Sequence, residues 1–477
     1  MTYDVVIIGA GVIGSMLSRE LSKYQLSVCV LEKENDVALG ASKANSGIVH
    51  GGFDPEPGTL KARLNVSGVA MLYEAAEQLH VPFVQNGSLV CAFSAREEQS
   101  VRELYERGLA NGVQGLRLLD GDSARALEPH LSESCTLALD VPSAGIICPY
   151  ELTVAAMGNA MDNGADLLCS FEVSKVTRDS EGFTLTSTLG KSVRARFVVN
   201  CAGAYSDRIS ELFGQKEFSI VPRAGEYLLL DKEEGARVKR TIFQVPTAQG
   251  KGILVSPTAD GNLLTGPTAN AVSSPEDKDV TPGGIETVIC FAKKSVPSIQ
   301  FRQVITSFTG IRASEKDGDF IIRPSHVDDR LIHVAAIDSP GLSCCVSIAR
   351  YTLDVLKRSG LELSAKPRWN PYREDPHAFR RMTDEQKHAY IQNNPSYGKI
   401  VCRCEIVSEG EILNALRQNP PANDIDGVKR RTRSGMGRCQ GGFCSPYVMD
   451  LIAKERGIPR EQGTKKGKGS EFVVAKI

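Results

Sequence analysis

"DVVIIGAGVIGSMLSRELSKYQLSVCVLEKE", residues 4–34, carries a complete strand–turn–helix–strand unit. Val5 to Ile8 is an apolar run of strand length. Leu17 and Leu21 continue an apolar helix face, and Val28 to Leu31 make a second run that ends on Glu32. Between the first run and the helix stand Gly9, Gly11 and Gly14 in the order G-x-G-x-x-G. There Gly9 permits the tight turn, Gly11 lets the backbone approach a pyrophosphate, and Gly14 lets the helix pack closely on the sheet. The helix N-terminus presents its N–H groups to the phosphate charge. Glu32, 18 residues beyond Gly14, is placed to accept hydrogen bonds from a ribose hydroxyl. The glycine spacing alone is a weak signal, compatible with a turn that binds nothing. With both strands, the helix and the terminal acid in place, the segment predicts a Rossmann-like dinucleotide-binding fold.

The rest of the 477-residue chain is ordinary in composition, with 42% hydrophobic and 24% charged residues, and its length suits two to four domains. A net charge of −1 argues against a wholly basic nucleic-acid-binding surface. The opening lacks a cationic leader, and no apolar stretch reaches the 18 or so residues of a membrane span, which leaves peripheral membrane association open. Thirteen cysteines, an odd number without an export signal, argue for thiols in a reducing, cytoplasmic compartment. Nine are scattered and several, such as Cys29 and Cys201, sit in apolar runs as small buried hydrophobes.

The residues after the opening unit separate one dinucleotide from another. Residues 40–68, "GASKANSGIVHGGFDPEPGTLKARLNVSG", are not a further strand–helix unit but a glycine-, serine- and asparagine-rich loop suited to backbone contact with a large flat cofactor. In this run the chain resembles the glycine oxidase/D-amino-acid oxidase superfamily of flavoenzymes. Within it, the resemblance is strongest to glycerol-3-phosphate oxidases and dehydrogenases and to L-2-hydroxyglutarate dehydrogenases. The resemblance extends to about residue 370 through "VVNCAGAYSD" (198–207), "GKGILVSPTADGNLLTGPTA" (250–269), "DFIIRPS" (319–325) and "DSPGLSCCVSIA" (338–349). It implies FAD, with contacts from Gly9, Gly11, Gly14, Glu32, Ser42, Asn45, Ser46, Gly47, Val173, Gly203, Gly341 and Leu342.

The expected architecture is α/β plus α+β. A discontinuous FAD-binding domain takes residues 1–80, 142–214 and 320–365. Segments 81–141 and 215–319, with alternating runs such as "EYLLLD" and "GILVSP", form an inserted antiparallel-sheet domain that covers the cofactor and binds substrate. Residues 366–397, dense in Pro, Arg and Asp, read as a surface linker. A small, mostly helical domain follows at 398–461, and 462–477 form a tail whose apolar "FVVAKI" docks on the body.

Of seven histidines, His50 is the most informative, because nothing about packing calls for an imidazole inside a glycine-rich loop. Oxidising an alcohol on a flavin needs a base for the hydroxyl proton, and an imidazole titrates in the right range. The resemblance implies that role for His50, against a purely structural one. It also implies that Lys251, Arg312 and Ser339 contact a small anionic substrate. A helix starting near Ser343 would set its N-terminus beneath the flavin.

Near the end, Cys402-x-Cys404 is followed 34 residues later by Cys439-x4-Cys444. Four thiolates suit structural zinc or an iron–sulfur cluster, and C-x-C is tighter than the usual zinc knuckle. The segment resembles the 2Fe-2S domain of bacterioferritin-associated ferredoxin, although that domain has C-x2-C in its second pair. Between the pairs, Ser408 and Glu411 predict a capped helix. Lys429, Arg430, Arg431, Arg433 and Arg438 predict a basic face that tunes the cluster or docks an acidic redox partner. Together these readings lead to an FAD-dependent dehydrogenase of a small anionic 2-hydroxy substrate, glycerol 3-phosphate first. Its electrons would pass through a 2Fe-2S cluster to a partner subunit such as a second flavoprotein, with no role for nucleic acid. The alternatives are a 2-hydroxy acid such as L-2-hydroxyglutarate, an amine or imino acid of the hydroxyproline type, and a non-catalytic redox sensor or scaffold.

Overall fold

The computed structural model describes residues 2–246, 252–316 and 318–472. Its first sheet has eight strands. Thr2–Ile8 lies at the centre, paired in parallel with Val28–Leu31 on one side and Ser192–Asn200 on the other. Asp166–Leu168 extends the sheet in parallel beyond Val28–Leu31, and Leu331–Ala335 pairs in parallel with Ser192–Asn200. Both faces are covered. Val5, Ile7 and Val30 share a core with helices Val12–Leu21, Leu60–Gln78, Pro149–Asp162 and Cys345–Arg358, while Val6, Ile8 and Leu31 pack with Phe183 and Leu185 on the opposite side. Burial on both faces is why these strands read as unbroken apolar runs.

The second sheet has nine strands, drawn from residues 88–141 and 221–314. Its spine is the antiparallel pair Val221–Leu230 and Val304–Ser314. The sheet departs from the antiparallel expectation at one place, where Thr241–Gln244 runs parallel to Ser88–Ala92. Helix Pro282–Ser295 covers one face, with Val288 and Ala292 against Leu228 and Leu230. The other face of the spine looks toward the first sheet and walls a large cavity.

Residues 366–397 are more ordered than a linker reading predicts. They include helix Asp384–Asn393, started by a reciprocal capping box between Thr383 and Gln386. The segment is tied to the body where Trp369 Nε1 donates to Ser22 Oγ (3.1 Å) and Arg19 donates to the Pro371 carbonyl (3.2 Å). The C-terminal domain is a two-strand ladder, Ile400–Cys402 with Val407–Ser408, and three helices, Glu409–Arg417, Ile425–Thr432 and Ser445–Arg456, around Val407, Ile412, Leu416, Val428 and Ile452. The predicted Ser408–Glu411 capping box is present. The tail's residues 473–477 lie outside the described residues.

Candidate functional site

A cavity of about 1070 Å³ runs between the two sheets, room for a large cofactor together with a small molecule. Gly9, Gly11, Glu32, Val173 and Gly203 line it at the end of the first sheet. Ser42, Asn45 and Ser46 line its middle, and His50, Arg312, Ser339, Gly341 and Leu342 its far end. Of the residues read from the sequence, Gly14 and Gly47 stand just behind the wall, and Lys251 lies outside the described residues.

The backbone at the dinucleotide end is arranged as the glycine order demands. Gly9 has φ +106°, and a Cβ there would stand 2.6 Å from the Cys201 carbonyl oxygen. A Cβ on Gly14 would collide with the Gly9 carbonyl, so that position holds the helix against the turn. Val12 N–H donates to Ser42 Oγ (2.8 Å), which fixes the loop to the helix N-terminus. Glu32 accepts from the N–H groups of Ala10 (2.7 Å) and Glu34 (2.9 Å) and borders the cavity. Burial nevertheless raises its carboxyl above the usual range, which those two donors only partly offset.

Along the spine strands, cross-strand partners on the cavity face come as matched pairs: Arg223 with Arg312, Gly225 with Gly310, Tyr227 with Phe308. The two rings stack with centroids 4.9 Å apart. The glycine pair makes room, because any side chain on Gly310 would strike the Ala44 carbonyl of the glycine-rich loop. The loop at Ala44 therefore lies directly on the second sheet.

At the far end Ser339 Oγ and His50 Nε2 are 3.3 Å apart. His50 is held from several sides. Its backbone N–H donates to Ser343 Oγ (2.7 Å), and its ring lies against Phe243 with centroids 5.7 Å apart. Ser314 Oγ donates to Asp338 (2.9 Å), which also carries an ion pair with Lys61 at 2.6 Å. The helix expected from Ser343 starts two residues later, at Cys345, because residues 340–344 form turns that bring Gly341 and Leu342 to the cavity wall. Sequence reading did not find Lys61, Arg223, Tyr227, Phe243 or Ser343. Lys61 lies within the 40–68 run that marks the flavin loop; for Arg223 there is no local signal, only a register fixed by strand pairing.

The four paired cysteines gather in the C-terminal domain. The Cys404 thiol donates to Cys439 Sγ at 3.6 Å, and Cys402 is hydrogen-bonded to Cys444. Ser434 Oγ lies 3.6 Å from Cys444 Sγ. That hydrogen bond from Cys444, with backbone N–H groups of Gly435, Glu405 and Cys404 after it, pulls the Cys402 thiol down to about 5. Among the described residues no three His, Cys, Asp or Glu side chains converge on one point, as a lone ion would require. Two thiol pairs side by side, served by amide donors, fit a two-iron cluster in which each iron takes two thiolates.

The basic face read from the sequence is corrected by its burial. Arg430 and Arg431 both bind Asp36, at 2.5 and 2.8 Å, and Arg433 binds Asp260 (2.5 Å) and Glu405 (2.9 Å). These three cations clamp the cysteine domain to the rest of the chain and offer no partner surface; Arg438 remains exposed. Burial alone would raise the Asp36 carboxyl, but Arg431 and then Arg430 outweigh it and hold it at about 2.

Residues 4–355 match the family described as FAD dependent oxidoreductase, and residues 400–454 match the BFD-like [2Fe-2S] binding domain. The chain is 42% identical to a glycerol 3-phosphate dehydrogenase of Caloramator mitchellensis over 99% of its own length and 98% of the relative's. It is 31% identical to the mitochondrial L-2-hydroxyglutarate dehydrogenase of Bos taurus, over 75% of this chain and 89% of that one. Among solved structures it matches an FAD-bound L-alpha-glycerophosphate oxidase from Mycoplasma pneumoniae, with TM-score 0.75 and 30% identity, over 98% of that chain and 78% of this one.

Proposed function

This chain belongs to the FAD dependent oxidoreductase family and ends in a BFD-like [2Fe-2S] binding domain, and from that premise we propose that it oxidises glycerol 3-phosphate to dihydroxyacetone phosphate as a dehydrogenase. It is an FAD-dependent oxidoreductase; the substrate and the residue roles are our reading. The observation that carries the reading is the far end of the cavity, where an imidazole and a hydroxyl stand 3.3 Å apart with Arg312 on the same wall.

A secondary alcohol loses two electrons and two protons in becoming a ketone. When bound, FAD would supply the two-electron acceptor for the hydrogen on the substrate carbon, and a 2Fe-2S cluster would supply a one-electron outlet. His50 receives the hydroxyl proton at Nε2, with Ser339 Oγ as the second hydrogen-bonding group that orients the alcohol. The Ser343 hydroxyl holds the His50 backbone and Phe243 flanks its ring, so the imidazole does not have to reorganise. Arg312 meets the anionic end of the substrate, and Lys251 is assigned there as well, from the sequence resemblance. Gly9, Gly11, Glu32 and the Ser42–Gly47 loop hold the cofactor. Cys402, Cys404, Cys439 and Cys444 hold the cluster.

The cluster favours a dehydrogenase over an oxidase, because direct reaction with oxygen needs no one-electron outlet. The acceptor in this reading is a partner protein in a cytoplasmic setting; among the described residues no helix is long and apolar enough to cross a membrane. The test is anaerobic bleaching of the flavin in the holoenzyme. Glycerol 3-phosphate should bleach it at millimolar concentration or below. Bleaching by L-2-hydroxyglutarate but not by glycerol 3-phosphate would overturn the assignment.

A further inference from the structure

We infer that the Ser434 hydroxyl, by donating a hydrogen bond to the Cys444 sulfur, raises the reduction potential of the cluster that the four cysteines hold, which makes Ser434 a potential-tuning residue of the electron outlet. The inference rests on the reading of Cys402, Cys404, Cys439 and Cys444 as a 2Fe-2S site, and is independent of which substrate the cavity takes.

The four thiols differ in their surroundings. Cys404 is exposed and Cys439 partly so, whereas Cys402 and Cys444 are buried. Water can serve the outer pair as a donor; the inner pair depends on the protein. Backbone N–H groups of Gly435, Glu405 and Cys404 reach Cys402, and those of Gly441, Phe443 and Gly442 reach Cys439. At Cys444 a side chain takes part: Ser434 Oγ, in a residue only 3% exposed, lies 3.6 Å from Sγ. A metal-bound thiolate has no proton to give, so in the loaded site the hydroxyl is the donor.

A donor on a ligand sulfur favours the reduced state. Reduction adds one negative charge, shared by the thiolates, and a hydrogen bond to an anion strengthens as that charge grows. The sulfur is buried, so water does not take the place of a deleted hydroxyl. Ser434 thereby makes the cysteine site a better receiver of electrons.

The clamp that docks the domain also holds the serine. Ser434 follows Arg433, which ends helix Ile425–Thr432 in the left-handed region with φ +65°. An arginine keeps that backbone only where its surroundings fix it. Here Glu405, Asp260, Tyr150 and Asn262 all bind its guanidinium, at 2.5–3.2 Å. The Ser434 N–H donates to Thr432 Oγ1 (3.1 Å), which in turn donates to the Val428 carbonyl (2.9 Å). The hydroxyl is thus aimed by both residues that precede it.

The test is an anaerobic potentiometric titration of the full-length holoenzyme, with the cluster followed by electron paramagnetic resonance and the flavin by absorbance. S434A should shift the cluster's redox equilibrium about tenfold toward the oxidised state, a midpoint lower by about 59 mV for one electron. Its flavin midpoint should not move. S434T keeps the hydroxyl and should stay within about threefold of wild type. A cluster midpoint in S434A equal to wild type overturns the inference, as does a flavin midpoint that moves with it or an S434T midpoint that moves as far. If S434A does not assemble its cluster, S434G decides on the same criteria, since it removes the hydroxyl and adds no methyl group beside the thiolates. Failure of the ligand reading looks different: the reduced wild type would give no 2Fe-2S signal, or C404S would keep its full iron.

Discussion

Replacing Asp36 by alanine should loosen the cysteine domain from the flavin domain while leaving flavin reduction by substrate intact. Asp36 is 7% exposed and accepts from Arg430 Nη2 at 2.5 Å and from Arg431 Nη1 and Nη2 at 2.8 Å each. Removing the acceptor leaves two buried guanidinium groups without the carboxylate they bond, which typically costs about 3–5 kcal/mol. Arg431 keeps the carbonyls of Pro420 (2.9 Å) and Gly427 (3.0 Å), which places the expected loss near the lower limit, about 3 kcal/mol. That is a shift of about 100-fold or more in the docking equilibrium. Amide exchange across 425–433 should accelerate by a similar factor. In anaerobic stopped flow the flavin should bleach at the wild-type rate, with cluster reduction trailing behind it. An apolar triple replacement, D36L/R430M/R431M, should recover most of the stability, because removing all three charges leaves none stranded. The pH dependence has a definite sign. The folded carboxyl is held at about 2 and the unfolded one titrates near 4, so the clasp's contribution is complete above about 4 and is lost as pH falls toward 2. Exchange and stability in D36A within about 0.5 kcal/mol of wild type, the scatter of ordinary surface substitutions, would refute the reasoning.

Three further outcomes concern the sites themselves. H50A should slow substrate-driven flavin bleaching by about 100-fold or more with FAD content unchanged; bleaching at the wild-type rate would remove His50 from the role of base. C404S should lower iron and sulfide content while FAD remains bound and an artificial acceptor taking electrons from the flavin still supports turnover; full iron content would take Cys404 out of the ligand set. G310A should drive a methyl group into the Ala44 carbonyl and shift the glycine-rich loop; FAD affinity should fall at least about tenfold, and unchanged retention on gel filtration would show that the loop does not depend on that clearance.

What could be read in the sequence was what neighbouring residues decide. The opening strand–helix–strand unit was legible because the apolar runs, the glycines and Glu32 lie within one local unit whose geometry their spacing dictates. The Ser408 cap was legible for the same reason. The Thr383–Gln386 cap carries that same signal, and the helix it starts was obscured by the proline- and arginine-rich residues before it. Long-range pairings were not legible. Nothing near Arg223 marks it as the partner of Arg312, and nothing in "VKRRTRSG" says that its arginines meet Asp36 and Asp260, which lie 394 residues upstream of Arg430 and 173 upstream of Arg433. A run of cations in sequence therefore looked like an open basic face, whereas folding makes most of it an internal clamp. His50 stood out from composition alone, but the groups that orient it, Ser343 and Phe243, come from other elements and depend on the tertiary fold.

The clamp also sets how the molecule can hand on what it extracts. A domain held by three buried arginines is no swinging carrier, since every excursion would have to strand those charges and bury them again. Under the proposed function, the cysteine site would keep one fixed place relative to the cavity, and an internal electron step would be indifferent to salt and viscosity. The outer side differs. Cys404 is exposed, and next to Cys444 the ring of Phe443 is 89% exposed. Under the proposed function, diffusion, ionic strength and crowding would then act only on a second handover, where a recipient would have to come to a stationary outlet.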